Sequence, residues 1–315
     1  AHAQMDMALS AGVNFWDTAE MYPSPPDKDK QGDTERFMGT WFNKTKQRDK
    51  VILASKISPM DFLRDGQTRY TAAQISSAID GNLERLQTDY IDIYQLHWPE
   101  RQANFFSQRG YSEEMAAQSL DDLTPFLETI QALNDEIKKG RIRAYGLSND
   151  TAWGLMRYLW EADKNGLIAP ITVQNPYSLL NRLYEVGMAE IAHRENVGLL
   201  AYSPLGFGVL SGKYLDGKRP TGARLTMYDR FARYTNDEAK AATAQYAKIA
   251  AEAALDMAQM ALAFVNSRAF VTSNIVGATT TEQLQSNIDS INVTLSADVL
   301  KAIEAVHTQH PNPSP

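Results

Sequence analysis

An α/β fold, a (β/α)8 TIM barrel, is what this chain of 315 residues predicts, and two observations carry the prediction. Apolar runs of strand length alternate with longer segments of helical period, the pattern of βαβ units around a parallel sheet. The length suits one large barrel as well as two average domains, and no composition shift or short repeat divides it. A single domain over 1–315 is therefore expected.

Taken in order, "VNFW" (13–16), "VILAS" (51–55), "YIDIYQL" (90–96), "IRAYGL" (142–147), "ITVQ" (171–174), "GLLAY" (198–202) and "NIVGA" (274–278) read as buried strands. Helical segments fall near 33–46, 71–86, 124–139, 150–164, 184–195, 237–251, 256–268 and 280–290, and 296–307 opens on Ser296 as an N-cap. The chain begins with "AHAQMDMALSAG", an amphipathic helix with no strand before it. Seven strands where a closed barrel has eight lead to an expectation that the first barrel strand is absent from this N-terminally short sequence. An open doubly wound sheet of seven strands is the alternative. Three connections are long, 21–33, 98–122 and 204–236, and each follows a strand and precedes a helix. They share the rim at the strands' C-terminal ends, where barrel enzymes keep their sites.

Composition removes several function classes. The longest mostly apolar stretches, such as "MAQMALAFV" (257–265), fall short of the roughly 18 residues a membrane helix needs, so no membrane partner is expected. Net charge is -7, and the 31 basic residues are scattered among 38 acidic ones, which excludes an extended nucleic-acid surface. With no cysteine there are no disulfides, thiolate nucleophiles or thiolate metal sites, and a reducing, cytoplasmic location fits. The five histidines are dispersed, so no metal is expected. Only His307 and His310 are close, beside a tail, "PNPSP", expected to be disordered.

Polar residues stand where the strands run out. Asp17 ends the first, Lys56 the second and His97 the third, with Tyr22 in the first connection. Ser148 and Asn149 end the fourth, Gln174 and Asn175 the fifth and Ser203 the sixth. A lysine closing an apolar strand needs a carboxylate if it is buried, and Asp17 on the neighbouring strand supplies one. A free phenol is a weak acid at neutral pH, but a nearby ammonium favours phenolate and makes proton donation easier. His97 adds a second donor, and the set forms an electrophilic pocket for a carbonyl whose oxygen gains charge. The missing reactant is hydride, which no side chain delivers and a nicotinamide does. Each residue also has a plainer reading: Lys56 solvated, Asp17 in a turn, Tyr22 packed on Pro23, His97 a satisfied core histidine.

Two later strand ends suggest where phosphates bind. "YSPLGFGVLSGKY" (202–214) is a glycine-rich loop whose amides can cradle a pyrophosphate, with Lys213 close by, or simply a flexible loop. Its spacing and late position exclude a Rossmann fingerprint. "GATTTEQLQSN" (277–287) leads into a helix N-terminus, an anion site, capped by Thr280 or Thr281.

In order along the chain, "DTAEMY", "ASK", "LHWP", "GLSN", "QNPYSLL", "YSPLGFGVLSGKY" and "GATT" followed by Gln283 and Asn287 resemble the aldo-keto reductase superfamily over essentially the whole sequence. "AEMYP", "DYIDIYQLHWP", "QNPYSLLNR" and "AQMALAFV" are most similar to its Tas-like reductases, a branch related to the potassium-channel β subunits. The resemblance implies a barrel that binds NADP(H) without a Rossmann domain. It implies Tyr22 as proton donor, tuned by Asp17 and Lys56, with His97 orienting the carbonyl and Trp98 beside the substrate. Ser148, Asn149 and Gln174 match positions gripping the carboxamide, and Tyr202 the ring stacked on the nicotinamide. Ser203, Leu205, Gly206, Gly208, Leu210 and Lys213 match the loop crossing the pyrophosphate. Arg224, Gly277, Thr279, Gln283 and Asn287 match positions around the adenosine 2′-phosphate and adenine.

The sequence departs from the family twice. The family's first strand and its glycine-rich loop have no counterpart before Ala1, and "GATT" lacks the usual Lys and Arg, which leaves Lys213 and Arg224 as the phosphate cations. The implied activity is NADPH-dependent reduction of a small-molecule aldehyde or ketone. A cofactor-binding regulatory subunit ranks second, and a hydrolase using Asp17 with Glu20 third, since Lys56 and Tyr22 have no task in it. Trp98, Phe105, Phe106 and Tyr111 either roof an apolar pocket or pack the core of their own loop.

Overall fold

Seven parallel strands follow one another in chain order within one sheet. They are β1 (Phe15–Asp17), β2 (Ile52–Ile57), β3 (Ile91–Leu96), β4 (Ile142–Ser148), β5 (Thr172–Pro176), β6 (Gly198–Tyr202) and β7 (Val271–Asn274). The computed structural model describes residues 1–60, 66, 68–108 and 110–315, so the 98–122 connection includes one residue outside the described set. Strands in chain order alternating with helices are the arrangement of the α/β (β/α)8 class.

The helices are α1 (His2–Ser10), α2 (Asp33–Thr45), α3 (Ala72–Leu86), α4 (Glu113–Ala117), α5 (Phe126–Lys138), α6 (Ala152–Lys164), α7 (Met188–Arg194), α8 (Arg224–Met227), α9 (Asp237–Glu252), α10 (Met257–Asn266), α11 (Thr281–Asp289) and α12 (Ala297–Gln309). Their starts are written in the sequence. Thr71, Thr151, Asn236, Asp256, Thr280 and Ser296 each accept the amide three residues on, satisfying a helix-end donor.

By contact the chain resolves into two units, residues 1–104 with 110–174, and residues 105–109 with 175–315. In the first, Leu53, Ile75, Ile79, Ile91, Ile130 and Leu133 are fully buried where β2 and β3 meet the helices. In the second, Leu199, Leu200, Tyr246, Met260 and Phe264 form the corresponding core.

Three expectations need correction. The last strand is Val271–Asn274 rather than 274–278, since Leu199 pairs with Val271 and Ala201 with Asn274. The ladder reaches only as far as the Ile275 amide, bonded to Ala201 O, so most of the apolar "IVGA" is the exit from the strand. The helix expected at 184–195 is a 3-10 turn, Leu183–Val186, and then α7, divided at Gly187 with φ 151°. The "PNPSP" tail is packed: Pro313 and Ser314 are buried, Ser314 N donates to Leu180 O at 3.1 Å, and Asn312 Oδ1 accepts the Arg182 amide at 2.6 Å. Proline ends α12 but does not stop a short tail from docking through its backbone.

Candidate active site

Parallel register brings the polar strand ends to one level. Lys56 pairs with Gln95, Gln95 with Gly146, and Ser148 with Gln174, while Asp17 pairs with Ala54 two residues before Lys56. Side chains alternate along a strand, so these residues all face the same side of the sheet. The register puts Gly146 in that row, and a Cβ there would meet the side chain and carbonyl of Thr172.

Lys56 is fully buried and all three of its ammonium donors are engaged. Nζ donates to Asp17 Oδ2 at 2.5 Å and to Thr18 O at 2.7 Å, and the third hydrogen bond joins it to Tyr22. The same nitrogen lies 5.1 Å from the centre of the Tyr22 ring. Burial by itself lowers the ammonium's pKa. The charge of Asp17, followed by Tyr22, outweighs it, so the group is raised above the ordinary lysine value and stays cationic. Asp17 is held from its other oxygen, where Oδ1 accepts from Gln95 Nε2 at 3.0 Å and Gln174 Nε2 at 2.8 Å.

His97 follows β3, its amide bonded to Ile57 O at 3.0 Å. Its ring stands edge-on to Tyr22 with centres 5.8 Å apart and lies 4.9 Å from Trp98. Burial, and then the charge of Lys56, push its pKa well below the ordinary histidine value, so the ring is neutral at pH 7. Asn149, in the left-handed region at φ 53°, donates to His97 O at 2.9 Å and Ser148 Oγ at 3.1 Å. Ser148 in turn donates to Gln174 O at 2.8 Å.

The first unit thus brings together Asp17, Tyr22, Lys56, His97 and Trp98, with Ser148, Asn149 and Gln174 in the same network. It also supplies three groups that sequence reasoning missed. Gln95 was visible as the one amide in an apolar strand, but the Thr18 carbonyl and the Ser58 hydroxyl, 2.7 Å from His97 Nδ1, gave no signal at all. Of the other loop aromatics, Phe105 and Phe106 pack on each other at 4.9 Å and Tyr111 is exposed.

The second unit holds the remaining predicted residues. Tyr202 ends β6, and the loop after it winds tightly, with positive φ at Ser203, Gly206, Phe207, Gly208 and Gly212. Within it the amides of Gly206, Gly208, Leu210 and Gly212 donate to carbonyls of the loop itself. Leu205 accepts two of these bonds and Leu210 anchors the loop in the core. Lys213 folds across Gly208, where a Cβ would come within 2.6 Å of its Nζ. Arg224 lies over the rings of Phe207 and Phe231 at 5.2 and 5.3 Å. Burial, then the Arg224 charge, lower the Lys213 pKa.

At 277–287, Gly277 is exposed with open space around it, and Thr279 donates from both N and Oγ1 to Gln283 Oε1 at 3.1 and 3.0 Å. Asn287 lies on the same helix, α11. Both stretches rest on α10: a Cβ at Gly212 would meet Met257 Sδ at 3.4 Å, and Gln259 donates to Ser286 O at 3.1 Å. Among the described residues no group of three or more His, Cys, Asp or Glu is placed to hold a metal, and no helix is long and apolar enough to cross a membrane.

The chain is similar to known proteins in sequence. The model of the aldo/keto reductase family matches residues 1–308. The protein Tas of Escherichia coli K12 is 49% identical over 319 aligned positions, covering 100% of this chain and 91% of that protein. A probable voltage-gated potassium channel subunit beta of Arabidopsis thaliana is 30% identical, covering 95% of this chain and 85% of its own length. The uncharacterized oxidoreductase YrpG of Bacillus subtilis is 29% identical, covering 96% and 85%. With a buried Lys56–Asp17 pair at a tyrosine, a neutral histidine beside it and a family match over nearly its full length, the chain belongs to the aldo/keto reductase family of oxidoreductases.

Proposed function

We propose that this chain is an NADP(H)-dependent carbonyl reductase acting on a small-molecule aldehyde or ketone in the cytoplasm. The observation that carries the reading is the buried Lys56 ammonium, held by Asp17 and hydrogen-bonded to Tyr22. A nicotinamide cofactor, when bound, would supply the hydride. Tyr22 gives its hydroxyl proton to the carbonyl oxygen, and the phenolate left behind is stabilised by the Lys56 charge. Asp17 keeps that lysine in place, and His97 offers a neutral donor to the same oxygen. Family resemblance assigns Ser148, Asn149, Gln174 and Tyr202 to the nicotinamide end of the cofactor. It assigns Thr279, Gln283 and Asn287 to the adenosine end. Lys213 and Arg224 suit a phosphate, and two cations favour the 2′-phosphate of NADP over NAD.

The test is Tyr22→Phe, which keeps the ring and removes only the hydroxyl. Turnover of NADPH with a reactive aldehyde is expected to fall by at least about a hundredfold, the scale of a lost general acid, while NADPH affinity is kept. A variant that retains most of its turnover removes Tyr22 from the role. The similarity to a potassium channel subunit beta favours a second reading, a cofactor-binding regulatory subunit. Tight NADPH binding without turnover on any of a broad panel of carbonyls, together with a co-purifying partner, would select it.

A further inference from the structure

Ser58 stands two residues beyond Lys56 and is fully buried. Its amide donates to Glu20 Oε1 at 2.5 Å, and Glu20, also buried, bonds through its own amide to Lys56 O at 3.3 Å. The hydroxyl meets a single hydrogen-bonding atom among the described residues, His97 Nδ1 at 2.7 Å. The His97 backbone is held by its amide on Ile57 O and by Asn149 on its carbonyl, and the ring lies against Trp98.

The hydroxyl carries one hydrogen, and a neutral imidazole carries one on either nitrogen. With the hydrogen on Nδ1, it would point at the Ser58 oxygen, and the hydroxyl's own hydrogen would be buried with no acceptor among the described residues. With the hydrogen on Nε2, the hydroxyl donates to a bare Nδ1 and nothing is orphaned. An orphaned buried donor shifts such an equilibrium by about tenfold or more.

We propose that Ser58 is a positioning residue that locks His97 in its Nε2–H form, leaving that N–H to donate to the carbonyl oxygen that Tyr22 protonates. The catalytic half of this proposal rests on the reductase reading, whereas the tautomer does not. Burial and the Lys56 charge keep the ring from taking up a second proton, so the choice lies between its two neutral tautomers.

Nitrogen-15 spectra of the histidine-labelled full chain read the tautomer directly, with His97→Gln assigning the signal. A bare Nδ1 and a protonated Nε2 at neutral pH are expected. A protonated Nδ1, or an imidazolium, overturns the proposal without any variant having to fold. Ser58→Ala is expected to give mixed tautomers and a kcat about tenfold lower at unchanged NADPH affinity, and Ser58→Thr to keep the tautomer and most of kcat. A Ser58→Ala chain with the wild-type spectrum and turnover also overturns it. If the wild-type chain shows the expected tautomer but reduces no carbonyl, the assignment stands and the reductase reading falls.

Discussion

Asp17 shows how much one buried carboxylate organises. It accepts from Lys56, Gln95 and Gln174, drawing groups from β2, β3 and β5 to the end of β1. Asp17→Asn would leave a fully buried ammonium without its counter-charge, and breaking such a pair costs about 3–5 kcal/mol. We expect that loss in urea unfolding, and expect Lys56→Met in the same chain to recover part of it, because the stranded charge is then gone. A double variant no more stable than Asp17→Asn alone would mean that the cost lies in lost hydrogen bonds instead. Asp17, Lys56 and His97 were legible because charged or ionisable groups at the ends of apolar strands are unusual, and Tyr22 because it follows the first of them in the connection. Ser58 and the Thr18 carbonyl were not, since a serine after a strand and a backbone oxygen look the same whether or not a histidine or lysine faces them.

At the scale of elements, the other face of β2 and β3 carries a second buried network. Glu35 of α2 accepts from Ser55 Oγ at 2.6 Å, Asn82 Nδ2 at 2.5 Å and Arg85 Nε at 2.6 Å, tying α2 to β2 and α3. Burial raises the Glu35 pKa, and the Arg85 charge opposes that rise without cancelling it. The two helices come close enough for this because Gly39 has no side chain. A Cβ there would press on the Arg85 carbonyl and lie 2.8 Å from Leu86 C, both backbone atoms that cannot swing aside. Gly39→Ala is therefore expected to destabilise the fold by about 1–3 kcal/mol, although alanine is the better helix former. Thermal melts showing an unchanged or raised midpoint would refute the close approach. Helix starts and most strand spans were readable from caps and apolar runs. The last strand was misplaced because "VTSN" is polar in composition and pairs only through its register with β6.

Across the whole molecule, buried ionisable groups set how stability responds to acid. His97 is lowered well below 6.5 by burial and then by Lys56, and His307 is lowered by burial and then by Arg182. Below about pH 6.5 the unfolded chain binds protons that these folded histidines refuse, so stability falls as the pH drops through that range. Glu35 acts oppositely. Its folded carboxyl takes up a proton above the ordinary 4.5, so this group favours the folded state increasingly as the pH falls toward that value. Urea midpoints measured between about pH 7 and 5 should therefore decline, and His97→Gln should make the decline shallower. An unchanged slope in the variant would place the proton uptake elsewhere.

The sequence by itself determined the alternation of strands and helices, the helix caps, and which ionisable side chains stand at strand ends, because periodicity and chemical type are local properties. Only the tertiary structure decided that Gln95 and Gln174 converge on Asp17, that four amides of the 202–214 loop bond within that loop, and that the C-terminal tail docks. Each of these depends on which backbone donors and acceptors remain unpaired once distant segments meet, and no stretch of sequence carries that count.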